Sequence, residues 1–151
     1  MERTLVILKP DALQRRMLGR IIQRFEDKGL KITALKMVQL TRELAERHYA
    51  AHRGKPFYEP LLAFITSAPV VAMVIEAPAA VATVRRMLGA TFGAEAEPGT
   101  LRGDLAVSNR YNLVHGSDSV EAAEREIALF FRPDEIMSYT QGDAHWVSEL
   151  L

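Results

Sequence analysis

One histidine, His115, stands where the sequence pattern predicts the end of a strand and the start of a helix. Residues 114–119 read VHGSDS, so small and polar residues follow the imidazole at once. Backbone N–H groups and the positive end of a helix macrodipole point at such a position and favour a bound anion such as phosphate. Gly116 would let that anion approach the backbone closely, because glycine has no Cβ. The segment therefore predicts an anion site beside an imidazole.

A carboxylate in the next predicted helix could act on this histidine. Glu126 lies three residues after Ala123 and four before Phe130, which places it on or beside the apolar stripe of the helix at 120–131. There it can hold one ring nitrogen of His115 in its protonated form and leave the other as a nucleophile. The alternative is an ordinary N-cap cluster at 117–119, a hydrogen-bonded strand-end histidine and a surface glutamate. Spacing alone leaves both interpretations open.

Four further polar residues are candidates for holding an anion. Lys9 follows a predicted buried strand, and ligands commonly lie beyond strand ends in open sheets. Arg85 near a predicted helix end, Thr91 just beyond it and Arg102 in a long loop could converge as donors to phosphate oxygens. The alternative for each of them is a solvated surface side chain.

Two other patterns involve rings. Phe57 lies in the rigid segment 55–60 (KPFYEP), where its ring could stack on a base or pack into the core. His48 and His52 have the i, i+4 spacing of zinc-binding helices, but the segment HYAAH lacks the glutamate base of such motifs. No segment has P-loop spacing, and 99–103 (GTLRG) does not match it. We therefore predict no metal site made by the protein itself.

The composition limits the chemistry available. The chain has 151 residues, no cysteine, and 19 basic against 19 acidic side chains. The missing thiol excludes disulfides, thiolate metal centres and cysteine nucleophiles. Zero net charge indicates no general attraction to nucleic acid or to an anionic membrane, so anion binding must be local. The short apolar run after Met1 and the lack of any apolar stretch of about 18 residues predict a cytoplasmic protein without a membrane span.

Hydrophobic periodicity indicates which elements position these residues. Strands are predicted at 4–8, 30–40, 70–75 and 112–115, and helices at 13–28, 41–52, 61–65, 79–88 and 120–131. Residues 90–111 show no sustained period and are predicted to be a long functional loop. The order predicts an α+β fold, a ferredoxin-like α/β sandwich with a four-stranded antiparallel sheet covered by helices. We expect one domain over 1–151, with a C-terminal tail from about residue 133.

Several motifs together carry a family resemblance. They are RTLVILKPD at 3–11, HY at 48–49, KPF at 55–57, PVVAMV at 69–74, PGTLRGD at 98–104 and NLVHGSDS at 112–119. In this order they resemble the nucleoside diphosphate kinase family over essentially the full chain, and the NxxHGSDS signature is specific. The resemblance implies ping-pong transfer of the γ-phosphoryl group from a nucleoside triphosphate, typically ATP, to a nucleoside diphosphate through a phosphohistidine.

The resemblance implies roles for five catalytic candidates. His115 matches the nucleophile of the family, Glu126 matches the carboxylate that orients its ring, and Ser117 lies near both. Lys9 matches a residue that contacts the transferred phosphate, and Tyr49 matches a member of the active-site hydrogen-bond network. Phosphoryl transfer needs positioning and charge neutralisation more than covalent machinery, which these residue types can supply.

The resemblance also implies a nucleotide site. Asn112 matches a contact to the sugar hydroxyls, and Phe57 matches the ring on which the base stacks. Arg85, Thr91 and Arg102 match the phosphate clamp. Mg²⁺ would arrive bridging the nucleotide phosphates. Because the base is held by stacking, tolerance of purines and pyrimidines is expected, and no dedicated nucleic-acid surface is expected.

Assembly follows from the same resemblance. The tail at 143–147 resembles that of hexameric members, and Trp146 is a candidate anchor against a neighbouring subunit. We therefore expect a homohexamer, with a homotetramer as the alternative, because Phe92-Gly93 replace the Asn-Pro that often stands in a loop used for subunit packing. The functional alternatives are a non-catalytic interaction protein that kept the fold and a histidine phosphotransferase acting on proteins.

Overall fold

The computed structural model describes residues 1–149, and a four-stranded sheet lies at its centre. The strands are β1 (Glu2–Leu8), β2 (Lys31–Val38), β3 (Val70–Ala77) and β4 (Val114–Gly116). They lie in the order β2-β3-β1-β4, and every neighbouring pair is antiparallel. With helices connecting and covering the strands, the predicted α+β class and ferredoxin-like sandwich are confirmed.

Within residues 1–149, eight α-helices accompany the sheet. They are α1 (Pro10–Gln14), α2 (Leu18–Asp27), α3 (Arg42–His48), α4 (Tyr58–Ile65), α5 (Ala80–Leu88), α6 (Leu101–Leu105), α7 (Val120–Phe130) and α8 (Ala144–Val147). Single 3-10 turns lie at Ala50–His52, Gly93–Glu95 and Pro133–Glu135. Of the helices in this described part of the chain, none has the length and apolarity that a bilayer crossing requires.

The central strand β1 is buried on both faces and therefore contributes to two cores. Val6 and Leu8 pack in a cluster with side chains of α1, α2, α5 and α6. Leu5 and Ile7 pack in a second cluster with side chains of α3, α4 and α7. Because successive side chains of a strand lie on opposite faces, a strand between two layers must be apolar at every position. The predicted buried strand at 4–8 is confirmed.

The predicted helix at 13–28 is wrong in its extent, because two helices occupy this region. Pro10 begins α1, where a proline lacks only an N–H that has no partner within the helix. Helix α1 ends at Gln14, and Arg16 follows in the left-handed region at φ 58°. The N–H of Met17 bonds to the carbonyl of Ala12 at 2.9 Å, which completes a Schellman-type end. Sequence reasoning missed this end because an arginine occupies the position that glycine usually marks.

The long loop predicted at 90–111 is also wrong, because it contains α6. The side chain of Thr100 caps this helix by accepting a hydrogen bond from the N–H of Gly103 at 3.0 Å. A helix of five residues is too short to show a hydrophobic period. The only sign of α6 in the sequence is Thr100, a residue type that often caps the start of a helix.

Other boundaries also differ from the predictions. The helix predicted to reach His52 ends at His48, and the helix predicted at 61–65 begins at Tyr58. The last strand covers Val114–Gly116 instead of 112–115. This difference matters for the site, since it leaves Asn112 and Leu113 outside the sheet ladder.

The C-terminal segment after α7 returns to the edge strand β2. The N–H of Met137 bonds to the carbonyl of Thr33 at 2.8 Å, and the hydroxyl of Tyr139 donates to the carbonyl of Ile32 at 2.6 Å. Lys36 of β2 forms an ion pair with Glu135 at 3.1 Å. These contacts hold the tail along one edge of the sheet.

Packing of α6 depends on a glycine. A Cβ built on Gly103 would lie 2.0 Å from the carbonyl oxygen of Glu97. Gly103→Ala should therefore lower the free energy of unfolding by about 1–3 kcal/mol, the usual cost of overpacking. In α2, Gly19 has no atom within 4 Å of the corresponding position, so Gly19→Ala is the matched control.

We expect the control to be neutral or to stabilise by up to about 1 kcal/mol, because alanine is the better helix former. Chemical denaturation of both variants measures the difference. Equal stability of the two variants would contradict the close packing of α6.

Candidate active site

Strand β4 positions His115 at the edge of the sheet. His115 pairs with Ile7 of β1, so the backbone of the histidine is fixed by the most buried strand. Its side chain is 22% exposed and thus reachable from solvent. Helix α7 begins five residues later, and the side chain of Ser119 caps it by accepting a hydrogen bond from the N–H of Ala122 at 3.0 Å. The predicted order of strand end, imidazole and helix start is present.

Glu126 lies under the imidazole, as its position on the apolar stripe predicts. Its Oε1 lies 3.1 Å from Nε2 of His115, and its Oε2 accepts a hydrogen bond from the hydroxyl of Ser117. The Ser117 hydroxyl in turn accepts a hydrogen bond from the N–H of Leu5 at 3.2 Å, which ties the group to β1. Burial raises the pKa of the Glu126 carboxyl, but the hydrogen bonds from His115 and Ser117 lower it more, to about 2. Glu126 is therefore ionised at neutral pH.

His48 is a site residue that the sequence predicted no role for, since its spacing from His52 was its only chemical signal and the pair lacks the rest of a zinc motif. Its ring packs edge-on against His115 with 4.8 Å between centroids, and its Nδ1 lies 4.0 Å from Oε1 of Glu126. The side chain is buried, and neither ring nitrogen has a hydrogen-bond partner among residues 1–149. Burial, followed by the charge of His115, lowers the pKa of His48 to about 3, so its ring is neutral. His52 does not belong to this cluster, because its Nδ1 lies 3.2 Å from Nζ of Lys55.

Lys9 and Asn112 are brought together although they lie far apart in sequence. Nζ of Lys9 donates to Oδ1 of Asn112 at 2.8 Å, and Nδ2 of Asn112 donates to the carbonyl of Thr91 at 2.9 Å. Burial lowers the pKa of Lys9 to about 8, and the charge of Arg102 acts in the same direction. The amide of Asn112 thus links Lys9, which directly follows β1, to the loop after α5.

Leu113 holds a strained turn directly before β4. Its φ is 71°, and the N–H of Val114 bonds to the carbonyl of Asn112 at 2.8 Å, which is the pattern of a γ-turn of the rare, strained class. The N–H of Leu113 donates to Oδ2 of Asp11 at 3.0 Å, and its carbonyl accepts from the N–H of Lys9 at 2.8 Å. Sequence reasoning missed this turn because leucine gives no signal for positive φ.

Two arginines reach the same short segment. Arg102 donates to the carbonyls of Gly89 at 2.9 Å, Val114 at 2.6 Å and Asn112 at 3.3 Å, while Nη1 of Arg85 lies 3.4 Å from the carbonyl of Gly116. These bonds use three of the five N–H groups of Arg102, so two are left for a ligand. Burial, followed by the charge of Arg85, lowers the pKa of Arg102 to about 10.

A row of rings connects His115 to Phe57. Centroid distances are 4.8 Å from His115 to His48, 4.5 Å from His48 to Tyr49, 6.1 Å from Tyr49 to His52 and 5.2 Å from His52 to Phe57. Tyr49 is buried, and burial raises the pKa of its hydroxyl. Phe57 is 49% exposed, so part of its ring is free to receive a flat ligand.

The fold brings positively charged side chains together in a chain whose net charge is zero. Lys9, Arg85 and Arg102 all bond to residues 112–116, the segment that carries His115. A cluster of this kind neutralises phosphate oxygens in phosphoryl transfer. The site thus combines the imidazole of His115, the Glu126 carboxylate at its Nε2 and cations bonded to the neighbouring backbone and side chains. These groups are the ones that accepting a phosphoryl group requires.

Comparison with known proteins agrees with this chemistry. The family model described as nucleoside diphosphate kinase matches residues 2–136. A nucleoside diphosphate kinase of Thermomicrobium roseum is 56% identical over 147 residues, which cover 97% of this chain and 99% of the relative. One from Thermus thermophilus is 58% identical over 137 residues, which cover 91% of this chain and all of the relative.

Solved structures show the same similarity. A halophilic nucleoside diphosphate kinase from Halobacterium salinarum, in complex with CDP, superposes with a TM-score of 0.96 at 48% identity, covering 98% of this chain and 99% of that one. A nucleoside diphosphate kinase family protein from Babesia bovis gives a TM-score of 0.95 at 40% identity, covering 98% and 100%. The chain therefore belongs to the nucleoside diphosphate kinase family, whose members are nucleotide-handling phosphotransferases.

Proposed function

We propose that His115 carries the phosphoryl group in a ping-pong transfer from a nucleoside triphosphate to a nucleoside diphosphate. The observation that carries the proposal is the 3.1 Å contact between Nε2 of His115 and Glu126. An anionic carboxylate there keeps the ring proton on Nε2, which leaves the lone pair on Nδ1. Nδ1 bonds to the γ-phosphorus as the bond to the bridging oxygen breaks and the diphosphate leaves. The acceptor diphosphate then reverses the step with its own terminal oxygen.

The surrounding residues would stabilise the charge that moves in this transfer. Three cations, Lys9, Arg85 and Arg102, hydrogen-bond to residues in the segment 112–116 that contains His115. Ser117 holds Glu126 in place by donating a hydrogen bond to its carboxylate. Fixed donors of this kind contribute most when charge develops in a site that excludes water. Tyr49 would shield the His48 ring, on which it packs edge-on, and would join the active-site hydrogen-bond network when a ligand is bound.

The nucleotide itself would lie between the exposed ring of Phe57 and the three cations. We assign the base to Phe57, the sugar hydroxyls to Asn112, and the phosphates to Lys9, Arg85, Arg102 and the segment at Thr91. The complex of the Halobacterium salinarum relative with CDP supports a nucleoside diphosphate as ligand.

Mg²⁺ would be held mainly by the nucleotide. The metal prefers oxygen ligands, whereas the one group of three or more metal-ligating side chains found in the described chain consists of two imidazoles and a carboxylate. The cations around His115 suit phosphate oxygens instead. The ion would supply charge neutralisation on the phosphates, and residues of this chain would supply the remaining donors.

The protein is proposed to work as a cytoplasmic homohexamer of single-domain subunits spanning 1–151, with a homotetramer as the alternative. On the edge strand β2, Leu35 and Met37 are exposed, and Trp146 of α8 is 81% exposed. Exposed apolar side chains of this size on an edge strand and a terminal helix favour contacts with further copies.

Replacing the carrier should abolish covalent labelling. Incubation with γ-labelled ATP should give an acid-labile, base-stable phosphoprotein, and His115→Asn should lose the label because Nδ1 is gone. His145→Asn is the matched control, since His145 lies in α8 and contacts Trp146 instead of the site. Label retained by His115→Asn would contradict the assignment. Label that free diphosphates fail to remove would indicate a protein phosphotransferase.

The activity should fall at alkaline pH. The pKa of Lys9 is lowered to about 8, so its positive charge is present below that pH and is lost above it. Since kcat/KM reports the free enzyme, it should fall by about tenfold per pH unit above the pKa. Lys9→Met should have low activity without this inflection. A wild-type profile that stays level well above pH 8 would contradict a role for the Lys9 charge.

A size measurement tests the assembly. Light scattering should give six times the 16.9 kDa chain mass, and four times that mass would support the tetramer. Trp146→Ala should shift the distribution to smaller species if the indole anchors a neighbour, whereas Val120→Ala, which changes another exposed apolar residue, should not. A monomer in the wild type would refute the proposal.

A further inference from the structure

His48 is a buried side chain that the proposed transfer does not use. It is 5% exposed, and both ring nitrogens lack a hydrogen-bond partner among the described residues. An unpaired polar group of this kind costs free energy relative to an apolar ring. Phenylalanine would make the same edge-on contacts with His115 and Phe130, at 4.8 Å and 5.5 Å, without that cost. A second use for the imidazole would account for it.

We infer that His48, His115 and Glu126 form a binding site for Zn²⁺ in the unphosphorylated protein, and that the bound metal blocks the transfer. The ligand atoms of the three side chains all lie within 4.8 Å of one another. Two imidazoles and one glutamate, with a fourth position open, are a known zinc ligand set in proteins. The blocking part of the inference rests on the proposed role of His115.

One of the three distances already suits the ion. Tetrahedral zinc with bonds near 2.0–2.1 Å places its ligand atoms about 3.3 Å apart. Nε2 of His115 already lies 3.1 Å from Oε1 of Glu126, and Nδ1 of His48 lies 4.0 Å from the same oxygen. The ligand atoms of the two histidines lie within 4.8 Å of each other, so the His48 ring would have to move by about 1.5 Å to complete the set.

The ligands are also in suitable protonation states. A metal binds neutral imidazole and ionised carboxylate. Burial disfavours a charged His48 ring, and the hydrogen bond from Ser117 favours an ionised Glu126, so neither group must lose a proton at neutral pH. His115 would bind through Nε2 by moving its proton to Nδ1, with no net release of a proton.

That proton movement gives the reason for inhibition. In the proposed transfer, Glu126 keeps the proton on Nε2 and the Nδ1 lone pair attacks phosphorus. Zinc on Nε2 would place the proton on Nδ1 and remove the nucleophile. The positive charges of Lys9 and Arg125 act on His48 and oppose a cation there, so occupancy would follow the free Zn²⁺ concentration. The site would be a reversible inhibitory site and not a structural one.

Co²⁺ tests binding without any reference to activity. Titration of the nucleotide-free, full-length protein should give the intense visible absorption of four-coordinate Co²⁺, and Zn²⁺ should displace it. His48→Phe and Glu126→Gln should each weaken binding by at least about tenfold, because each removes a ligand. His52→Ala and His145→Ala, which change the other histidines of the chain, should bind like the wild type. Wild-type affinity in His48→Phe would overturn the site.

Labelling with γ-labelled ATP tests the inhibition. Zn²⁺ should reduce phosphorylation of the wild type, and His48→Phe should require at least about tenfold more Zn²⁺ for the same reduction. Equal inhibition of both proteins would overturn the inference. Circular dichroism checks folding, and Glu126→Gln in the Co²⁺ titration decides the question if His48→Phe is unfolded. Absence of label in the wild type without zinc would refute the proposed carrier, while the Co²⁺ titration would still judge the metal site.

Discussion

The packing of β1 between two strands and two helical layers constrains every part of the active site. β1 pairs with β4 and thereby places His115, and its end delivers Lys9 to Asn112. Ser117 bonds to the backbone of Leu5 in both directions, and α7 packs on β1 with Glu126 facing inward. Because the strand is buried on both faces, its backbone has almost no freedom to move. The imidazole and its partners are consequently fixed before any ligand arrives.

The electrostatics of the site depend on separation of opposite charges by a few ångströms. The Glu126 carboxylate lies behind the imidazole, while Lys9, Arg85 and Arg102 bond to the segment that carries it. Burial weakens the charged form of both Lys9 and Arg102, and their pKa values fall to about 8 and about 10. An incoming phosphate would stabilise both charges further, since Asp11 offsets the effect of burial on Lys9 only in part. Burial of Lys9 and Arg102 therefore accounts both for their lowered pKa values and for the stabilisation that a bound anion would bring.

His48 would give the same site a second chemical character. In the proposed transfer, Nδ1 of His115 is the nucleophile that attacks phosphorus. On the other side of the ring, Oε1 of Glu126 lies 3.1 Å from Nε2, and Nδ1 of His48 lies 4.0 Å from that oxygen. If zinc binds as inferred, the phosphoryl group and the metal would use opposite nitrogens of one histidine, and the tautomer that suits one of them would exclude the other.

The sequence by itself determined the fold class and identified nearly all of the side chains that form the candidate site. The apolar run at 4–8, the stripe that carries Glu126 and the order VHGSDS are local patterns, and local patterns report burial and element type. Only the tertiary structure decided the left-handed turn at Arg16, the strained Leu113 and the contact of His48 with His115. The physical reason is that contacts between distant segments supply the energy for these features. Asp11, which is distant in the sequence, holds Leu113 in its strained conformation, and burial in the folded protein keeps the ring of His48 neutral. The residues next to Leu113 and His48 in the sequence therefore do not predict either feature.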